Sequence, residues 1–313
     1  MSEPILRVEN LEKEFGVVHA VRGISFDIEE GQVVGFIGAN GAGKTTTMRI
    51  MATLDLPTSG KIAICGYDIV NYPEEVRARV GWMPDNYGVY TDMTVHEYLD
   101  FFARSFGYKG EDRRHRVDEV IAFTDLASLA ERGMDTLSKG MGQRLCLGRT
   151  LLHDPEFLIL DEPAAGLDPK ARIELKRLIR LLAEDGKTIF ISSHILSELE
   201  EMCDTMLLID EGEIVHHGSA DGMKKRKDEG FVVAIRTSGD PKELERWALL
   251  YPGAVVEDAM KDGIRVIFDS ADSSVLTKAM KHLMSENIPI IEFRLEERNL
   301  EDAFVDILAK VGG

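Results

Sequence analysis

The chain has 313 residues, 44% of them hydrophobic and 29% charged, a composition ordinary for a globular protein and a length suited to about two domains. With 37 basic against 55 acidic residues its formal net charge is −18, which argues against a nucleic-acid clamp with a basic face. No stretch approaches the ~18 uninterrupted apolar residues of a membrane span, and Met1-Ser2-Glu3-Pro4 does not open a signal peptide, so the chain is expected to be soluble when isolated.

In chain order, short strands are expected at Leu6–Val8, Ile24–Ile28 and Val33–Ile37. The third runs into Gly38-Ala39-Asn40-Gly41-Ala42-Gly43-Lys44-Thr45, which fits the phosphate-loop pattern G-x-x-x-x-G-K-S/T. Thr46 to Leu54 follows without Gly or Pro, as a helix would. Strand, loop and helix together make an anion trap: the glycines let the backbone curl so that its N–H groups face phosphate oxygens, and the helix adds its positive end. Lys44 supplies a point charge, and the Thr45 hydroxyl can ligate Mg2+. Beyond the loop, Lys61–Tyr67 reads as a strand, Pro73–Arg79 as a helix, and Val80–Pro84 as a strand leading to Asp85. Residues 92–135 carry helical spacing, with Val95, Tyr98, Leu99 and Phe102 on one face.

Leu137-Ser138-Lys139-Gly140 is by itself a helix start with Ser138 as N-cap. Phe157-Leu158-Ile159-Leu160 is a short, wholly apolar run, the mark of a strand buried on both faces. The two carboxylates that follow, Asp161 and Glu162, therefore emerge at the carboxyl edge of a sheet, where α/β proteins place ligands. Adjacent residues on an extended strand point to opposite sides, so one carboxylate can face a metal and the other a water. Next come Ala165-Gly166-Leu167-Asp168-Pro169, a helix over Ile173–Ala183, and a strand over Thr188–Ile191 ending at His194. On its own His194 reads as a satisfied polar group near a strand end. His216 and His217 are adjacent in a strand-like run and point oppositely, which is unsuited to a shared metal. The three cysteines, Cys65, Cys146 and Cys203, lie far apart without a C-x-x-C and read as reduced, packed thiols.

Asp221–Gly230 is charged and Gly-bounded and reads as a linker between a domain over residues 1–220 and one over 231–313. The second domain shows a strand at Phe231–Ile235, a helix at Pro241–Leu250, strands at Ala254–Val256 and Ile264–Phe268, a helix at Ser274–Ser285, a strand at Pro289–Leu295 and a last helix at Leu300–Leu308. The order βαββαβ is that of a small ferredoxin-like α+β unit with an added helix. It holds no catalytic motif and reads as a regulatory or docking domain.

Taken together, phosphate loop, L-S-x-G, apolar run with Asp-Glu, Gly-Leu-Asp and a lone His after a strand resemble, in this order, the ATP-binding cassette (ABC) family over roughly residues 3–220. The resemblance implies an α/β P-loop NTPase with a parallel core sheet, an antiparallel β subdomain and a helical subdomain. It implies ATP and Mg2+ as ligands, held by the loop from Gly38 through Thr46, with Asp161 as a metal ligand and Glu162 as the base that polarises the attacking water. His194 is then the switch residue at the γ-phosphate. Ser138 and Gly140 contact ATP held by a second copy or a homologous cassette, and Asp168 crosses to that partner. Phe15 stacks on adenine by resemblance, and a core Phe is the rival reading. Asp85 stands where the family usually has Gln. It keeps an oxygen that can serve metal or water and adds a negative charge, so hydrolysis or coupling can differ from the family norm. Lys139 replaces a usual Gly without removing the Ser or the second Gly. By the same resemblance the chain sits on the cytoplasmic side of a membrane, as the peripheral engine of transmembrane permease subunits. The C-terminal extension, closing with Asn299-Leu300-Glu301-Asp302-Ala303-Phe304, resembles that of drug-resistance-type exporters. The rivals are a soluble ABC-type ATPase acting on nucleic acid or ribosomes, whose basic surface is missing, and a slowly hydrolysing nucleotide switch, suggested by Asp85.

Overall fold

The computed structural model describes residues 3–86, 88–219, 222, 231–269 and 272–296. They form two compact units. Among the described residues no helix is long and apolar enough to cross a membrane.

In the first unit, β1 (Leu6–Phe15) pairs antiparallel with both β2 (Val18–Ile28) and β4 (Ser59–Ile64), and β4 turns back into β5 (Tyr67–Asp68). This layer is longer than the sequence pattern predicts. Register shifts between Val8 and Leu11, with Asn10 at φ +47, break the alternation and hide the continuation of β1 to Phe15. The strand expected over Lys61–Tyr67 is instead a hairpin, because Cys65 and Gly66 both take left-handed backbone, at φ +51 and +80.

The second sheet has the order β10-β9-β3-β8-β7-β6, with β3 (Val33–Ile37), β6 (Val80–Met83), β7 (Phe157–Leu160), β8 (Thr188–Ser193) and β9 (Thr205–Asp210) parallel. The edge strand β10 (Glu213–Gly218) is antiparallel and carries His216 and His217. Every residue of β3, β7 and β8 is buried, as expected of parallel strands covered on both faces. The two layers share one core, in which Phe190 stacks 6.0 Å from Phe26 and lies 5.0 Å from Phe36.

The helices of this unit are α1 (Lys44–Met51), α2 (Pro73–Arg77), α3 (Val95–Ser105), α4 (Gly110–Phe123), α5 (Lys139–Leu151), α6 (Pro169–Glu184) and α7 (Leu196–Glu200). Thr94 and Glu97 form a reciprocal capping box that starts α3. Helix α6 begins four residues before the expected Ile173, since Pro169 suits the first helical position and Asp168 caps it.

The second unit runs β11 (Phe231–Thr237), a helix Pro241–Leu250, β12 (Ala254–Met260), β13 (Gly263–Phe268), a helix Ser274–Ser285 and β14 (Ile290–Glu296). Its described elements follow the order βαββαβ. Its sheet is antiparallel in the order β12-β13-β11-β14, and both helices pack on one core built around Val233, Ile235, Trp247, Val266, Phe268 and Leu283. The expected linker, apart from Gly222, and the expected last helix with Asn299–Phe304 lie outside the described residues.

Candidate active site

Strands β3, β8, β7 and β6 are consecutive neighbours in the parallel sheet, so their carboxyl ends deliver four chain segments to one edge. After β3 comes the glycine loop, after β8 His194, after β7 Asp161 and Glu162, and after β6 Asp85. They enclose a cavity of about 370 Å3. From the loop it is lined by Asn40, Gly41, Gly43, Lys44, Thr45 and Thr46, and from the other three segments by Asp85, Asp161, Glu162 and His194. Ala20 and Ala165 complete the wall.

The loop curls because Gly41 and Gly43 adopt left-handed backbone at φ +86 and +108. It also lies hard against the sheet: a Cβ at Gly38 would stand 2.3 Å from the Ile209 carbonyl oxygen. Buried Lys44 closes the loop on itself, its Nζ donating to the carbonyl oxygens of Gly38 at 2.7 Å and Ala39 at 3.2 Å. Burial lowers the Lys44 pKa, and the charges of Glu162 and Asp161 oppose that shift.

Asp161 is 3% exposed. Its N–H donates to the Met83 carbonyl at 2.8 Å, and its Oδ1 accepts from the Ser192 hydroxyl at 2.7 Å. Burial raises its pKa, hydrogen bonds from Ser192 and Thr45 pull it down, and the charges of Glu162 and Asp85 push it up again. The strand stops at Leu160, and Glu162 sits at φ +49. The two carboxylates therefore diverge through a left-handed turn, which corrects the expectation that strand alternation separates them. The Glu162 N–H donates to Ser192 Oγ at 2.8 Å, and its Oε2 lies 2.7 Å from His194 Nδ1. His194 thus finds its polar partner inside the site. Asp85 reaches the cavity, its carbonyl accepting from buried Gln143 Nε2 at 3.4 Å. Ser192 is the polar side chain at the centre of this arrangement that sequence reasoning passed over. Its signal is the hydroxyl pair Ser192-Ser193 that ends the buried strand after the apolar run Ile189-Phe190-Ile191.

The donor set suits Mg2+. Thr45, Asp161 and Asp85 offer oxygen only, and among the described residues no group of three His, Cys, Asp or Glu side chains could hold a metal by itself. Mg2+ characteristically takes one or two carboxylates and draws its remaining ligands from phosphates and water. A carboxyl raised first by burial, and further by two neighbouring carboxylates, sits in an environment that a dication relieves.

Other expected residues lie outside the cavity lining. Phe15 ends β1, is 51% exposed, and has the Lys13 ammonium 4.7 Å from its ring centroid, which rules out the core reading. Gly38, Ala39 and Ala42 belong to the loop without lining the cavity. Ser138 caps α5, accepting from the Met141 N–H at 3.3 Å, and Asp168 caps α6, accepting from Lys170 and Ala171 at 3.0 Å. Gly140 permits the crossing of these helices, since a Cβ there would stand 2.6 Å from Ala171 Cβ. One chain does not bring Ser138, Gly140 and Asp168 together with the glycine loop in a single cavity.

Residues 21–165 match the family model described as ABC transporter. A bacitracin transport ATP-binding protein of Bacillus licheniformis is 35% identical over 97% of this chain and 97% of its own length. A linearmycin resistance ATP-binding protein of Bacillus subtilis is 29% identical over 98% of this chain and 99% of its own. Among solved structures, a dimeric ATP-binding cassette in a post-hydrolysis state, bound to ADP and Pi, is similar with a TM-score of 0.62 and 25% identity, covering 68% of this chain and 98% of that one. The chain belongs to the ABC transporter family, as one of its ATP-binding, ATP-hydrolysing cassettes.

Proposed function

We propose that this cassette powers an exporter of the antibiotic-resistance type, docked at the cytoplasmic face of the membrane on separate transmembrane subunits. The observation that carries the reading is the convergence of Lys44, Asp161, Glu162 and His194 at one sheet edge while the Ser138 helix start lies outside that cavity. Such a site is half of a sandwich: the Ser138, Gly140 and Asp168 of a second cassette complete it over ATP. The full-length match to bacitracin and linearmycin proteins, which includes the second unit, supports export over import.

Phosphoryl transfer to water asks the protein for position and charge more than for covalent chemistry. The loop N–H groups and Lys44 hold the β- and γ-phosphates, and Phe15 offers an exposed aromatic face to adenine. Thr45 and Asp161, with Asp85 nearby, would hold Mg2+, which would supply neutralising charge when bound. Glu162 orients and polarises the attacking water. A carboxylate only accepts hydrogen bonds, so toward an ionised Glu162 His194 donates from Nδ1, and its Nε2 donates to the γ-phosphate when the ring carries a proton on both nitrogens.

The test compares wild type with Glu162→Gln in ATP hydrolysis and in size-exclusion chromatography with ATP. Wild type turns over. The variant loses about 10²–10⁴ in rate and accumulates as an ATP-bound dimer. Turnover unaffected by the substitution would remove Glu162 from the mechanism and leave a nucleotide switch.

A further inference from the structure

Ser192 is fully buried at the end of β8, one residue before Ser193 and two before His194. In the parallel ladder Leu160 of β7 faces Ile191 of β8, so Ser192 stands beside the point where β7 gives way to Asp161. A hydroxyl has one proton to give and lone pairs to accept with. Ser192 Oγ gives its proton to Asp161 Oδ1 at 2.7 Å and accepts the Glu162 N–H at 2.8 Å. One atom therefore grips both members of the carboxylate pair, the first by its side chain and the second by its backbone. The second grip falls where the chain is strained: Glu162 holds φ +49, a region costly for a residue with a side chain.

We propose that Ser192 is a positioning residue for hydrolysis, fixing the Asp161 carboxylate for the cation and holding the left-handed turn that swings Glu162 toward His194. The proposal rests on the ATPase reading above and adds a residue to it. Ser192 touches neither nucleotide nor water in this scheme and acts through its two neighbours. Groups of this outer kind typically change metal affinity or activity about 10- to 100-fold when lost.

The test uses the full chain and two matched pairs, Ser192 against Ser192→Ala and Ser192→Thr against Ser192→Val. Within each pair the hydroxyl is the main difference, and β-branched residues suit a strand. Nucleotide affinity is titrated in EDTA and in Mg2+, beside steady-state kinetics and thermal melting. Ala and Val are expected to bind ATP in EDTA like their hydroxyl partners and to lose about tenfold or more of the affinity gained from Mg2+. Their kcat falls about 10- to 100-fold with KM for ATP much less changed, and Thr recovers most of the loss. Ser192→Cys, of similar size and a weak donor, serves if the apolar variants do not fold, and is expected to be impaired as well. Ala and Val with a Mg2+ gain and kcat within about twofold of their partners would overturn the proposal. So would a Thr variant as impaired as Val, or a Cys variant equal to wild type. Failure of wild type to hydrolyse ATP would count against the ATPase reading, while the binding titrations would still decide the role of Ser192.

Discussion

A Cβ at Gly43 would stand 2.5 Å from the Ala20 carbonyl oxygen, on a backbone already at φ +108. Gly41 is also left-handed, at φ +86, but a Cβ there would meet nothing within 4 Å. Gly41→Ala therefore carries only the conformational cost, about 1–2 kcal/mol, whereas Gly43→Ala must also push the loop off β2. Expected is a loss of nucleotide affinity at least about tenfold larger for Gly43→Ala than for Gly41→Ala, since ~1.4 kcal/mol is a factor of ten. Fluorescent-nucleotide titration of the two variants measures it, and equal losses would show that contact with Ala20 does not shape the loop. Gly43, Lys44 and Thr45 could be recognised in the sequence because the loop's chemistry is local. Ser192 could not be assigned its role that way: its partners are 30 and 31 residues earlier in the chain and meet it only through strand pairing. The Glu162 turn was hidden for a related reason, since nothing local in Asp-Glu-Pro announces a left-handed glutamate.

At the level of elements, the helical part is fastened by Asp100 on α3. Arg113 Nε of α4 lies 2.6 Å from its Oδ1, and Arg104 of α3 lies 2.7 Å from its Oδ2. Burial would raise the Asp100 pKa, but the two guanidinium groups outweigh it and hold the carboxyl below its ordinary value. A carboxyl depressed in the folded state stabilises above its unfolded pKa of about 3.9, and that stability is lost as pH falls through the folded value. Asp100→Asn is therefore expected to cost about 1 kcal/mol at neutral pH, the partly exposed pair being screened by solvent. The deficit should shrink as pH falls below about 3.9. Urea unfolding of both proteins at neutral pH and across the acid range measures it, and a deficit independent of pH would assign the cost to packing. The helices α3 and α6 were readable because apolar residues recur at helical spacing. The full length of β1 and the β4–β5 hairpin were not. Their course depends on a bulge at Asn10 and a left-handed Cys65, where tertiary pairing overrides the local pattern.

On the scale of the whole chain, the sequence suggests a break after residue 220, and among the described residues two compact units each carry a core of their own. One core joins β1, β2, β3, β7 and β8 through Phe26, Phe36 and Phe190, and the other gathers around Trp247 and Phe268. The sequence marked the break by charge and glycine, but the purpose of the second unit is not written in any motif. Two separate cores imply two unfolding events, and only the first unit carries the nucleotide site. A ligand that binds the native state alone stabilises it by RT ln(1 + [L]/Kd), about 2.7 kcal/mol at a hundredfold excess over Kd. Scanning calorimetry of the full chain is therefore expected to resolve two transitions, with ATP and Mg2+ raising one and leaving the other in place. The Glu162→Gln variant, used to prevent turnover during the scan, should show the shift most clearly. A chain truncated after residue 219 should retain the ligand-responsive transition and lose the other. If both transitions instead move together with nucleotide, the second unit is energetically joined to the ATP site and its role is to sense the cassette's state.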